Sequence, residues 1–76
     1  MKLSFPNPSR SFDASKNRVS FWGYDRTIEI SFFVELDALK SLDSTMSNVE
    51  EGFLQAFDRA RTRIYEVADR VYEGSA

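Results

Sequence analysis

The chain has 76 residues, 42% of them hydrophobic and 14% aromatic, which describes one small domain with a single core. Ten Lys and Arg against 12 Asp and Glu leave a formal charge of −2, without the concentrated basic surface that phosphate contacts need, so the balance argues against nucleic acid as a partner. Cysteine and histidine are both absent, which excludes disulfides, thiolate zinc sites, histidine-activated nucleophiles and histidine pH switches.

The first nine residues carry Pro6 and Pro8 around Asn7 and read as an extended lead-in, with Leu3 and Phe5 packed as a short edge segment. They lack the apolar run of a secretory leader, and no stretch reaches membrane-spanning length, so a cytoplasmic protein without a membrane partner is expected.

Over residues 10–35 the period is two. Phe12, Val19 and Phe21, then Ile28, Ile30, Phe32 and Val34, alternate with polar or outward residues, which predicts three antiparallel strands at about 10–14, 17–23 and 26–35. A turn at Ser15-Lys16 pairs Phe12 with Val19 and Asp13 with Arg18. A turn at Tyr24-Asp25 pairs Phe21 with Ile28, Val19 with Ile30 and Ser20 with Glu29, so that one face is wholly apolar.

After Glu35 the period lengthens. Leu36, Leu39 and Leu42, with Asp37 as N-cap, predict a two-turn helix over 37–42. Ser47 and Glu50 read as a capping box opening a long helix over 48–73, with Val49, Phe53, Phe57, Ala60, Ile64, Val67 or Ala68, and Val71 as its apolar stripe and Gly74 as its stop. Such a rod, just under ~40 Å long, overhangs strands of about 25 Å. The reading is a single domain over 1–76 in the α+β class: a three-stranded antiparallel sheet, one face covered by a short helix and a long C-terminal helix.

The runs Ser11-Phe12-Asp13-Ala14, Val19-Ser20-Phe21-Trp22-Gly23-Tyr24-Asp25 and Ile28-Glu29-Ile30-Ser31-Phe32-Phe33-Val34, with Phe57-Asp58, Arg61, Ile64 and Val71-Tyr72 on the helix, resemble a small bacterial family catalogued as domain of unknown function 1488. The likeness covers most of the chain, and its motifs are packing motifs. It implies an α+β domain with an antiparallel sheet carrying a helix, and no assigned activity. Relatives often continue past the long helix with an extended segment, so a fourth strand is the alternative to three.

The residues themselves offer little chemistry. Asp13, Asp25, Glu29 and Glu35 are scattered over strands and turns, Gly23, Gly52 and Gly74 are too far apart for a phosphate loop, and no metal spacing occurs. No catalytic residue, metal ligand, cofactor site or cofactor is assigned, and the protein is expected not to be an enzyme. Large rings are the more informative residues. Trp22, Tyr24 and Phe33 fall on the open side of the sheet, with Trp22 and Phe33 at opposite ends in the predicted register, and Tyr65 and Tyr72 flank the overhanging end of the helix. These five form the candidate interaction surface of a non-catalytic protein-interaction module, acting as a homodimer or accessory subunit, since so small a core has no other staple. Arg59, Arg63 and Arg70 fall along one edge of the helix at about 100° per residue. They carry the alternative, a small regulatory protein contacting nucleic acid or a nucleotide through that basic edge.

Overall fold

A computed structural model describes residues 2–75. The strands are β1 (Arg10–Asp13), β2 (Arg18–Asp25) and β3 (Ile28–Glu35), followed by α1 (Leu36–Leu42) and α2 (Glu50–Ser75). The sheet is antiparallel in the order β1-β2-β3, so the α+β class, the three strands and both helices are as the sequence implies, and no fourth strand occurs among the described residues.

The first hairpin has the register expected from its residue types, with Phe12 opposite Val19 and Asp13 opposite Arg18. The Asp13 carboxylate closes the loop by accepting the Ser15 N–H at 3.0 Å and the Ser15 hydroxyl at 2.6 Å, and Asn17 takes the left-handed backbone at φ 51°. The second hairpin differs. β2 runs on to Asp25 and the chain reverses at Arg26-Thr27, with Arg26 at φ 60°. Phe21 therefore faces Phe32 instead of Ile28, Val19 faces Val34 instead of Ile30, and Ser20 faces Phe33 instead of Glu29. Gly23 is here a strand residue, paired with Ile30, and its missing Cβ leaves room for a ring to pack on β2. The Phe5 ring of the lead-in lies against it so closely that a Cβ there would stand 2.7 Å from the ring edge.

The lead-in packs at the sheet edge as expected. Ser4 and Tyr24 exchange backbone hydrogen bonds at 2.9 and 2.8 Å, the Leu3 N–H donates to the buried Asp69 carboxylate at 2.7 Å, and Phe5 stacks on Tyr65 with centroids 3.9 Å apart. The C-terminal turns of α2 are thereby clasped by the lead-in, and the long axis of the molecule, 35 Å, is no greater than the helix itself.

Val19, Phe21, Leu39, Met46, Phe53, Ala56, Phe57, Ile64 and Ala68 form the core between the sheet and the helices. The helix starts differ from those expected. α1 is entered from Glu35, which makes no side-chain cap, and Asp37 sits in its first turn. The Ser47 capping box is not formed: α2 begins at Glu50, the Phe53 N–H bonds to the Val49 carbonyl at 3.0 Å, and Ser47 is folded against Gly52. Gly74 lies within the helix and does not stop it. Ala68 rather than Val67 faces the core, while Val49, Val67 and Val71 are exposed.

Arg10 at the start of β1 forks onto Asp58 of α2 at 3.0 and 2.9 Å, and Arg61 reaches the same carboxylate at 2.7 Å. Burial raises the Asp58 pKa, but hydrogen bonds and charge from Arg10 and Arg61 outweigh it and hold the carboxyl below its ordinary 3.8. A carboxyl depressed in the folded state contributes its full stability above its unfolded pKa and loses it as pH falls through the folded value. The urea midpoint is therefore expected to be flat in this group above about pH 4 and to decline below it. Asp58→Asn should flatten part of that decline, the rest belonging to Asp13 and Asp43, whose pKa values are lowered too. An acid limb unchanged in Asp58→Asn would contradict the assignment.

Candidate functional site

Both outer strands leave an edge, but they are unequal. β1 has four residues, whereas β3 has eight in continuous register without proline or bulge. Which backbone groups of β3 are free follows from alternation. The N–H and C=O of Tyr24 are taken by Ser4 on the β1 side, so Val19, Phe21, Gly23 and Asp25 turn theirs toward β3. Their partners Val34, Phe32, Ile30 and Ile28 face back, and the backbone groups of Glu29, Ser31, Phe33 and Glu35 point out along the open edge.

Behind this edge, between β3 and the helices, lies a groove of about 190 Å³. Phe32, Phe33 and Val34 form its sheet side, Ala38 and Leu42 its α1 side, and Ile64, Val67, Ala68 and Val71 its α2 side, with Phe21 beneath. None of these residues is ionisable, so the groove offers desolvation of apolar groups rather than proton transfer. Its volume is below that of small-molecule sites, roughly 300–1,000 Å³, and suits a few apolar side chains.

Of the six large hydrophobic residues that are strongly exposed among the described residues, Ile28 and Phe33 lie on β3, and Phe33, Leu42, Val67 and Val71 line the groove. The sequence pattern placed Ile28, Leu42 and Val71 on apolar faces, with Val67 as the alternative to Ala68. For Val67 and Val71 the signal is the overhang of a 26-residue helix beyond strands of at most eight residues, since a stripe longer than the sheet cannot all be covered by it.

The expected aromatic surface is divided. Trp22 is half-buried on the outer face and, by register, is the diagonal neighbour of Phe33, so the two lie together rather than at opposite ends. The Arg18 guanidinium covers the Phe33 ring at 3.5 Å. Tyr24 donates its hydroxyl to Glu29 at 2.8 Å, and that hydrogen bond, with the carboxylate charge, raises the phenol pKa. Tyr72 donates to Asp25 at 2.7 Å with the same effect, and the Lys2 ammonium stands 5.7 Å from its ring. Tyr65 is half-buried beneath Phe5 and accepts a hydrogen bond from Arg61 at 2.6 Å. Tyr65 and Tyr72 thus hold the lead-in against the helix.

The basic edge is divided too. Arg59 donates to Asp43 at 2.8 Å, and hydrogen bonds from Thr45 and then Arg59 lower the Asp43 pKa. Arg70 shares its surroundings with Glu66, Asp69 and Glu73, and Arg63 is exposed. The three arginines do not form a continuous cationic surface. Among the described residues, no cluster of three or more acidic side chains could hold a metal ion, and no helix is long and apolar enough to cross a membrane.

Searches of curated proteins and of solved structures find no match to the chain. A family model does match, over residues 3–76, nearly the whole of the sheet, the lead-in and both helices just described. That match places the chain in the family described as protein of unknown function (DUF1488), to which it belongs.

Proposed function

We propose that the protein is a non-catalytic protein-interaction module, a homodimer or accessory subunit, whose contact surface is the groove together with the open edge of β3. One observation carries this: among the described residues, three of the six strongly exposed large hydrophobics, Leu42, Val67 and Val71, line the groove from its helix sides, and a fourth, Ile28, lies on the same face at the start of β3. An apolar depression bordered by unpaired backbone donors and acceptors is what an apposed protein segment satisfies, with the ladder supplying hydrogen bonds and the pocket supplying desolvation.

Two differently tagged copies expressed together in the native cell test the reading. Wild type is expected to recover a protein partner, the second tagged copy included, and Val67→Glu or Leu42→Glu to reduce that recovery roughly tenfold or more. Trp22→Ala, on the outer face, leaves it nearly unchanged. Equal recovery by wild type and both groove variants removes the proposal.

A further inference from the structure

We infer that the occupant of the β3 edge is the β3 strand of a second copy, paired antiparallel about a two-fold axis at Ser31, so that two three-stranded sheets join into one of six strands. The inference rests on the interaction-module reading and adds its partner and register. Only residues whose backbone groups point outward can form the hydrogen-bonded pairs of such a ladder, and these are Glu29, Ser31, Phe33 and Glu35.

With Ser31 on the axis, Ser31 meets Ser31 of the second copy and Glu29 meets Phe33, while Glu35 lies just beyond Ile28, at the Arg26-Thr27 turn. Between these, on the helix-covered face, Ile28 meets Val34 and Ile30 meets Phe32, so every inward pair is apolar. Ile28, 64% exposed in the single chain, gains a cover. Arg26, at the turn, comes beside Glu35 of the second copy. Both are exposed and, among the described residues, neither is in an ion pair, so the interface supplies each with an opposite charge.

Neighbouring registers lack this agreement. Sliding one step in one direction sets Glu29 against Glu35 twice over, and one step in the other leaves only residues 28–32 of β3 facing their equivalents, because the chain turns away before Ile28. Moving the axis to Phe33 shortens the overlap, because α1 begins at Leu36 and ends the strand. The Ser31 axis alone combines overlap over residues 28–34, apolar inward pairs and no like-charge pair. Because the two-fold axis is perpendicular to the sheet, both helical layers lie on the same side, and Leu42 and Val67 of each copy approach those of the other across the joined groove.

The chain has no cysteine, so single-cysteine variants report the register directly. Ser31, Glu29 and Phe33 are all exposed, which lets Ser31→Cys, Glu29→Cys and Phe33→Cys fold as the parent does. Cα atoms at the axis stand about 5.5 Å apart, within disulfide reach, whereas two copies of residue 29, or of residue 33, are separated by roughly 13 Å. Under copper-phenanthroline oxidation, Ser31→Cys is expected to form a covalent dimer roughly tenfold faster than Glu29→Cys or Phe33→Cys alone. A mixture of the last two should cross-link to each other.

Sedimentation of the wild type completes the test. A dimer in which Ser31→Cys links no faster than the others overturns the pairing while leaving the interaction module in place. A strict monomer at high micromolar concentration that still captures another protein through Leu42 and Val67 overturns the second copy but not the module. A strict monomer with no groove-dependent partner overturns both.

Discussion

Phe57→Ala is expected to cost about 3–5 kcal/mol and to lower the melting temperature by roughly 15–30 °C. Phe57 is completely buried at the meeting of sheet and helix, with Phe21 at 5.3 Å, Tyr65 edge-on at 6.5 Å and the Arg61 guanidinium 5.0 Å from its ring. Truncation removes the transfer free energy of the ring and leaves a cavity whose walls, held by β2 and α2, relax only in part. A domain of this size has about 4–11 kcal/mol of stability in all, so the variant is expected to sit near its unfolding midpoint at physiological temperature. Phe57→Leu keeps most of the volume and should lose about 1–1.5 kcal/mol. Equal melting temperatures for the two variants would show that Phe57 does not occupy the packed centre described.

Gly52→Ala is expected to destabilise by roughly 1–3 kcal/mol, against the usual sign. Replacing an interior helical glycine by alanine ordinarily gains up to about 1 kcal/mol through reduced backbone freedom in the unfolded chain. Here a Cβ would overlap the Ser47 carbonyl oxygen and lie 2.6 Å from the Ser47 Cβ, so either the first turn of α2 or the chain entering it must shift. The obstacle is backbone, which cannot swing aside as a side-chain end can. Gly74, in the same helix with nothing within 4 Å of the equivalent position, is the control, and Gly74→Ala should gain a few tenths of a kcal/mol. Thermal melts of the pair decide it; a stabilised Gly52→Ala means Ser47 does not pack against the helix start.

The same close approach explains why the Ser47-Glu50 pattern did not become a capping box. A local sequence pattern states which hydrogen bonds are available, but the chain entering α2 is laid against Gly52 by contacts that no four-residue window contains. Gly23 teaches the like lesson on the sheet. Beside Tyr24-Asp25 it reads as a turn residue, yet it pairs with Ile30 in the strand with the Phe5 ring lying against it, and the reversal falls at Arg26-Thr27, where Arg26 takes the left-handed backbone. The first hairpin was legible because Asp13 and Ser15 close the turn with their own side chains and Asn17 takes its left-handed backbone.

For the candidate site, the residue types were legible but their places were not. Large rings on the outer face and on the helix end were apparent from alternation, yet Tyr65 and Tyr72 turned inward to clasp the lead-in, a segment whose docking depends on Asp69, far along the chain. Val67 and Val71 looked like core because they continue the helical period. They are exposed because the sheet is narrower than the stripe.

By itself the sequence determined the chemistry that is excluded, the period-two strands, the long amphipathic helix, the α+β class and the family. Each of these follows from composition or from a repeat short enough to be read along the chain. The tertiary structure alone decided where the second hairpin turns, which rings are spent on the lead-in, and that an apolar groove lies behind the β3 edge. Those outcomes depend on contacts between segments distant in the chain, through the Phe5 ring, the Asp69 carboxylate and the width of the sheet, and periodicity carries no information about such contacts.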